Sequence, residues 1–189
     1  MMVYSNEKVA GVIFFIAASQ FILGLIVAEA LYPGYSISTN YISDLGVGPS
    51  STVFNVSIFI LGLLAIIGTY FLHRAFHFTV ITILLAIAAL AAMNVGIFTE
   101  NSEPMHTIAS VFVFLFSGLS AIFSYKFTKY PFNIIVILLG VTSLSASILF
   151  IGNIYLELGV GGMERMIVYP ILIWMIGFGG FLSAFSEKS

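Results

Sequence analysis

The sequence lacks cysteine altogether and carries very little charge. With no cysteine among its 189 residues, it can form no disulfide, no thiolate metal site and no cysteine nucleophile. Charged residues make up 7% of the chain and hydrophobic residues 60%, whereas about a quarter of a soluble domain is charged. A net charge of −2 offers no basic surface for nucleic acid. These shortages exclude an ordinary soluble domain and indicate an integral membrane protein.

What the chain does contain is six long apolar runs. A helix needs about 20 apolar residues to cross the hydrocarbon core of a bilayer. We predict membrane helices over residues 9–31, 53–72, 78–98, 104–125, 131–154 and 163–185. Continuous apolar runs do not fit the alternating strands, ~10 residues long, of a membrane barrel. The predicted fold is therefore all-α, a single six-helix transmembrane domain over residues 1–189 with a polar loop at 32–52.

The charged residues predict an orientation for these helices. The first run exceeds the ~7–15 apolar residues of a signal peptide, so we expect it to be retained as a helix. With a cytoplasmic N-terminus, the basic residues on the inner face are Lys8, Arg74, Lys126, Lys129 and Lys188, and only Arg165 is outside. The positive-inside rule therefore places both termini in the cytoplasm and the protein in the cell membrane. The acidic residues on the outer face are then Glu29, Asp44, Glu100, Glu103, Glu157 and Glu164.

The loop between the first two runs carries the densest group of polar side chains. Asn40, Tyr41, Ser43 and Asp44 place a carboxamide, a phenol, a hydroxyl and a carboxylate within five positions. Asp44 could be a general base, a cation ligand or an anchor for a polar headgroup. Alternatively, it turns the chain before Gly46 through hydrogen bonds to local amides. A loop of about twenty residues is long for a compact helical protein, which favours a function for it.

A second polar group connects the third and fourth helices. Glu103 and His106 have a Glu-x-x-His spacing that could present two metal ligands on one helix face, and Glu100 precedes them. A carboxylate at a helix N-terminus is, however, favoured by the helix dipole alone. Because the chain has no HExxH, no CxxC and no second histidine nearby, we predict no metal site and no cofactor.

A third polar group, Glu164-Arg165, begins the sixth predicted helix. Arg165 is the one outer cation, so we expect it to bind a carboxylate, and the candidates are Asp44, Glu29 and Glu100. Such a pair would fasten the loop over the helix ends. In the alternative, the guanidinium binds an anionic headgroup such as a lipid phosphate.

Polar and small residues within the helices give further predictions. Gln20 and Asn94 are expected to hydrogen-bond between helices, and Gly179 and Ser183 to let two helices approach closely. His73 and His77 have the spacing of a chelating pair, but a turn is predicted between them, so we expect interfacial residues instead. The run Gly159-Val160-Gly161-Gly162 is expected to break the chain before the sixth helix.

Several of these motifs together resemble a known family. They are Tyr41-Ile42-Ser43-Asp44-Leu45-Gly46, Gly96-Ile97-Phe98-Thr99-Glu100 with His106, and Glu164-Arg165 with Trp174 and Gly177. In this order they look like the domain-of-unknown-function family 998, which consists of small prokaryotic, largely archaeal, multi-pass membrane proteins. The Ile-Ser-Asp-x-Gly element is also similar to one in the FGF-receptor-activating-protein and autophagy-modulator membrane superfamily, some members of which are implicated in lipid-anchor remodelling or lipid organisation. The resemblance implies the fold and supports an outer site, and it supplies no reaction.

The predicted function is binding rather than catalysis. We expect an outer polar pocket that binds a lipid headgroup, a cation or a partner membrane subunit, which includes a second copy of the chain. The predicted ligand-binding residues are Asn40, Tyr41, Ser43, Asp44, Glu100, His106, Glu164 and Arg165. The alternative is an enzyme acting on lipids or lipid-linked groups at the outer interface, with His106 as general acid–base beside Asp44. The third interpretation, a small-solute transporter, requires polar residues at the bilayer midplane, where Gln20 and Asn94 are the main candidates.

Overall fold

The computed structural model describes residues 5–184, and over that range it contains six long α-helices and no strand. The helices are α1 (Asn6–Leu31), α2 (Ser51–Phe76), α3 (Thr79–Ile97), α4 (Met105–Phe123), α5 (Phe132–Ile151) and α6 (Gly159–Ser183). Each is long and apolar enough to cross a membrane, so the predicted all-α six-helix membrane fold is confirmed. Lys188 and the predicted end of the sixth helix at residue 185 lie outside the described residues.

The six helices pack as a closed ring. Each helix packs against the next one in the chain, and α6 returns to pack against α1. The contact between α1 and α6 depends on small residues, as predicted for Gly179 and Ser183. A Cβ atom added to Gly11 would lie 2.6 Å from the carbonyl oxygen of Gly179 and 2.5 Å from the amide nitrogen of Ser183. The two backbones therefore touch directly, which is how helices associate in lipid.

Aromatic side chains fill the core of the ring. The indole of Trp174 stacks on Phe178 with ring centroids 5.7 Å apart, and Phe178 packs against Phe14 at 6.1 Å. The indole nitrogen of Trp174 donates a hydrogen bond of 2.9 Å to Ser124 Oγ, so its one polar atom is satisfied in the core. Trp174 is 2% exposed, and it is the single tryptophan of the chain.

The loop between α1 and α2 folds over one end of the ring, as predicted. This end, which also carries the α3–α4 and α5–α6 connections, is called the acidic end here because Glu29, Asp44, Glu100, Glu103, Glu157 and Glu164 lie there. Ile42 and Leu45 of the loop are 3% and 0% exposed, because they insert into the apolar core. The Asn55 side chain donates a 3.0 Å hydrogen bond to the Gly46 carbonyl and so ties the loop to α2.

Two predicted helix boundaries are wrong. Helix α6 begins at Gly159, the first glycine of the run, rather than after the run. Gly159 has a φ of 76°, so the chain does turn at the first glycine, whereas Gly161 lies inside the helix. Gly161 allows α6 to lie against the loop, and its amide donates a 3.1 Å hydrogen bond to the Ser38 carbonyl. Helix α2 continues to Phe76, so the described residues between His73 and His77 are helical and contain no turn. The chain turns at His77, which has a φ of 53°.

The two predicted interhelical amides differ in outcome. Gln20 of α1 donates a 2.9 Å hydrogen bond to the Ser57 carbonyl of α2, which confirms the prediction. Asn94 donates instead to the Leu90 carbonyl of its own helix at 2.8 Å, so its prediction is wrong. Leu90 precedes Asn94 by one turn of α3, and the carbonyl of residue i−4 is the nearest acceptor for such a side chain in a membrane helix.

Candidate functional site

Asp44 organises the loop at the acidic end. Its Oδ2 accepts hydrogen bonds from the Asn40 side-chain amide at 2.8 Å and from the Tyr41 backbone N–H at 3.0 Å. The Asn40 side-chain oxygen accepts in turn from the Ser36 N–H at 3.1 Å. These are the local hydrogen bonds of a carboxylate that shapes a turn. One oxygen of Asp44 is therefore occupied by the loop itself.

Arg165 lies in a buried cluster with the end of α1 and the loop. Its Nη2 donates to Glu29 Oε1 at 2.6 Å and to the Tyr35 hydroxyl at 2.7 Å. Its Nη1 donates to the carbonyls of Gly161 and Ile37 at 3.0 and 3.1 Å. Burial raises the pKa of Tyr35 to about 12, against the lowering effect of the guanidinium, so the phenol stays protonated. Of the three expected carboxylates, Glu29 at the end of α1 is the partner. The bonds from Arg165 to Tyr35 and Ile37 fasten the loop to α6.

Glu164 faces the other way from its neighbour Arg165. Successive helical residues point ~100° apart, so adjacent side chains of α6 serve different surroundings. Glu164 is 6% exposed, and its carboxylate accepts a hydrogen bond from the Ile42 backbone N–H. This bond also joins the loop to α6, but its acceptor borders an open cavity rather than the arginine cluster.

Glu100 forms a carboxyl pair with Asp44. Burial raises the pKa of Glu100 to about 7, and the hydrogen bond that its protonated carboxyl donates to Asp44, the charge of Asp44 and the charge of Glu103 act in the same direction. Ionising a second, partly buried carboxyl beside the Asp44 carboxylate is unfavourable, so Glu100 keeps its proton up to nearly neutral pH. The Glu100 carboxyl group can therefore donate or accept a hydrogen bond close to pH 7.

His106 is held in one orientation at the start of α4. Its Nδ1 lies 2.9 Å from the Phe98 carbonyl oxygen, and a carbonyl only accepts, so Nδ1 carries a hydrogen. In the neutral ring Nε2 is then an acceptor, and it lies 3.4 Å from Ser110 Oγ one turn further along the helix. The ring is 6% exposed, because the α3–α4 connection covers one side of it.

A cavity of about 640 Å³ between α4 and α5, here called the α4–α5 groove, brings several of these groups together. Its polar wall is formed by Tyr41, Ser43, Glu100, Glu103, His106, Thr107, Ser110, Ser147, Asn153, Tyr155 and Glu164. Its apolar wall is formed by Val111, Phe114, Leu115, Leu144, Ile148, Phe150 and Ile151. Ile148 and Ile151 are 71% and 70% exposed, so the groove opens sideways on the surface that a bilayer covers.

A second, smaller cavity of about 80 Å³ lies inside the ring next to the groove. Ser43, Ser110, Phe114 and Glu164 line both cavities, so the two cavities adjoin at these side chains. The remaining walls are almost entirely apolar and come from α1, α2, α3, α4 and α6. The polar end of the groove therefore borders an apolar interior as well as the lipid-facing surface.

The predicted ligand residues separate into two groups. Tyr41, Ser43, Glu100, His106 and Glu164 line the groove, whereas Asn40, Asp44 and Arg165 do not. Asp44 reaches the groove indirectly through Glu100, and Arg165 is bonded to Glu29. Among residues 5–184, no group of three or more His, Cys, Asp or Glu side chains could hold a metal ion.

The groove also contains residues that sequence analysis missed. Ser110 had a detectable signal, since it lies four residues after His106 and hence on the same helix face. Asn153 and Tyr155 follow α5, and the Tyr155 hydroxyl donates a 2.9 Å hydrogen bond to the Asn153 side-chain oxygen. Nothing in their local sequence indicates that this connection meets the α3–α4 connection, because that depends on how the ring closes.

Comparison with known proteins finds a family and no characterised relative. Residues 15–180 match a family model described as a protein of unknown function, DUF998. No curated protein and no solved structure matches the chain.

Proposed function

The chain belongs to the DUF998 family of proteins of unknown function, and from its site we propose that it binds one membrane lipid in the α4–α5 groove. The observation that carries the proposal is the change of character along this one cavity. Carboxyl, imidazole and phenol groups line its end at Glu100, His106 and Tyr41, and aliphatic side chains such as Leu144 and Ile148 line the rest. An amphipathic molecule needs both surfaces, whereas a free cation would use only the polar one.

The size and position of the groove support a lipid. A volume of about 640 Å³ lies within the ~300–1,000 Å³ typical of small-molecule sites. The exposed Ile148 and Ile151 line its mouth, and the aliphatic chains of a bilayer would be the surrounding solvent there. A lipid can therefore enter from the side without leaving the membrane.

The charge of the polar end favours a headgroup with hydrogen-bond donors. Glu100, Glu103 and Glu164 line the groove, while no lysine or arginine of the described chain does. Arg165, which sequence analysis considered for a lipid phosphate, does not line the groove, and its two Nη atoms donate to Glu29, Tyr35 and two carbonyls. An ammonium or a polyhydroxyl headgroup complements such a wall, and a purely anionic one is repelled.

Binding of matched lipids tests the proposal. Native mass spectrometry would measure dissociation constants for phosphatidylethanolamine, a glycosyl diacylglycerol and phosphatidic acid with identical acyl chains. We expect the first two to bind about tenfold or more tightly than phosphatidic acid, which corresponds to ~1.4 kcal/mol. A preference for phosphatidic acid would contradict the proposed headgroup class.

A pair of α5 variants separates specific binding from general contact with lipid. Ile148→Trp places an indole in the mouth of the groove and should weaken phosphatidylethanolamine binding about tenfold or more. Leu138→Trp is the matched control, because Leu138 is also exposed (59%) on α5 but does not line the groove. Equal affinities for both variants and wild type would refute a site in the groove.

A further inference from the structure

We propose that the groove is also hydrolytic: Ser110 and His106 form a nucleophile–base pair that cleaves an ester bond of a lipid held there. This activity goes beyond binding, and it rests on the proposed lipid site for access of its substrate. The pair lies on one face of α4, with Ser110 Oγ 3.4 Å from His106 Nε2. Separations of this kind tighten when a substrate closes the site.

The Ser110 hydroxyl differs from several other hydroxyls of the membrane helices in its partner. Ser57, Thr69, Ser120 and Ser147 each donate to the carbonyl four residues earlier in their own helix. Such back-bonding is the usual way for a helical hydroxyl to be satisfied in an apolar environment. Ser110 is directed instead to the histidine nitrogen, and it lines the groove.

His106 has the tautomer and orientation that a general base requires. The Phe98 carbonyl accepts the Nδ1 hydrogen at 2.9 Å, which leaves the Nε2 lone pair directed at the Ser110 hydroxyl. The carbonyl thus fixes the ring in the way that a third group orients the base of a nucleophile–base pair. The same carbonyl stabilises the imidazolium that forms when the base accepts a proton.

The depth of Ser110 matches an ester linkage. Ser110 follows His106 by four residues, and therefore lies ~6 Å further along α4 from the polar end. In a glycerolipid the acyl esters lie between the headgroup and the chains. A headgroup beside Glu100 and chains along Leu144 and Ile148 would accordingly place an ester near Ser110, since all these residues line one cavity.

The chemistry balances with water as the second reactant. Ser110 Oγ attacks the ester carbonyl carbon while His106 Nε2 takes the hydroxyl proton. Collapse of the tetrahedral intermediate breaks the bond to the alcohol oxygen, which leaves with that proton and gives an acyl-serine. Water then attacks the acyl-serine, and its proton passes through His106 to Ser110, so ester and water become carboxylic acid and alcohol.

Two neutral donors in the groove are available to the developing oxyanion. The Tyr41 hydroxyl lines the groove, and burial raises its pKa, with the neighbouring Tyr155, Glu164, Asp44 and Glu100 acting in the same direction. The phenol therefore keeps its hydrogen. The Asn153 side chain accepts from Tyr155 through its oxygen, so its amide N–H groups remain free to donate.

A fluorophosphonate probe and a lipid substrate test the pair directly. Purified protein in vesicles of phosphatidylethanolamine should become labelled at Ser110, as located by peptide mass spectrometry, and should release fatty acid. Ser110→Ala should abolish both signals, and His106→Gln should slow both by about 100-fold or more. Ser120→Ala is the matched control on α4, because Ser120 is 0% exposed and bonded to the Phe116 carbonyl, and it should behave as wild type.

The outcomes separate this proposal from lipid binding. Wild-type protein that binds phosphatidylethanolamine in the groove but is neither labelled nor active overturns the nucleophile–base pair and leaves the lipid site standing. Labelling that proceeds at the wild-type rate in folded His106→Gln also overturns the pair. Retention of phosphatidylethanolamine by Ser110→Ala, together with loss of fatty-acid release, supports both proposals.

Discussion

Replacement of Arg165 by methionine should sharply destabilise the protein. The guanidinium makes four hydrogen bonds, to Glu29 at 2.6 Å, to the Tyr35 hydroxyl at 2.7 Å and to two carbonyls at 3.0 and 3.1 Å. Arg165 is 5% exposed. Methionine fills similar space but leaves the Glu29 carboxylate and the carbonyls without these donors.

The size of this effect follows from burial of the pair. Removing one partner of a buried ion pair costs about 3–5 kcal/mol. The Glu29 side chain is 22% exposed and can recover some hydration, so we expect the lower end, about 3 kcal/mol. Glu29→Gln keeps a hydrogen-bond acceptor and should cost only about 1–2 kcal/mol. The double variant should cost less than the sum, with a coupling of about 1–2 kcal/mol.

Fluorescence of Trp174 provides the assay. As the single tryptophan, buried and stacked on Phe178, it reports loss of the core during denaturant unfolding in mixed micelles. Arg74→Met is the control, because Arg74 is exposed and its contacts are with Tyr70, through a 3.3 Å hydrogen bond to the hydroxyl and a cation–π contact 5.9 Å from the ring centroid. It should change stability by less than about 0.5 kcal/mol. If Arg165→Met is as mild as Arg74→Met, the fastening role of Arg165 is refuted.

Three further predictions concern the acidic end. The pKa of Glu100 is about 7 in the folded protein and near 4.5 in the unfolded chain, so the free energy of unfolding should fall as pH rises from 4.5 to 7. Allowing for solvent screening, this fall is about 1 kcal/mol, and Glu100→Gln should abolish it. Gly161→Ala puts a Cβ 2.5 Å from the Ile37 carbonyl oxygen and should cost about 3 kcal/mol by thermal unfolding, whereas Gly180→Ala, with nothing within 4 Å, should be neutral or stabilising. In this cysteine-free chain, an impermeant maleimide on intact cells should label Glu157→Cys and not Lys126→Cys if the termini are cytoplasmic, and the reverse pattern would invert the orientation.

Hydrophobic patterning was sufficient to predict the helices and the position of the polar loop. Six apolar runs can satisfy their backbone groups in lipid only as helices, so the fold follows from their length. Glycine was harder to interpret. The run at Gly159 predicts a break, yet Gly161 serves the contact of α6 with the loop carbonyls. A missing side chain is equally suited to a turn and to close backbone contact, and only the tertiary structure distinguishes the two.

The sequence was sufficient to locate the candidate site, but it did not show that the polar residues there form two separate groups. Glu164 and Arg165 are neighbours in the chain, and their charges suggested one pocket. On the helix they point apart, so Glu164 borders the groove while Arg165 reaches Glu29. The apolar half of the groove was invisible for another reason. Residues such as Leu144 and Ile148 look like ordinary lipid-facing positions until α4 and α5 are seen to leave a gap between them.

The central proposal is that one lipid occupies the α4–α5 groove, and a high-resolution density map of the protein in phosphatidylethanolamine nanodiscs tests it most directly. We predict continuous chain density along Leu144 and Ile148 that ends in headgroup density beside Glu100 and His106. Density of this kind should disappear in Ile148→Trp and persist in Leu138→Trp. A groove that is closed by side chains, or that is empty while lipids are ordered elsewhere around the ring, would contradict the proposal.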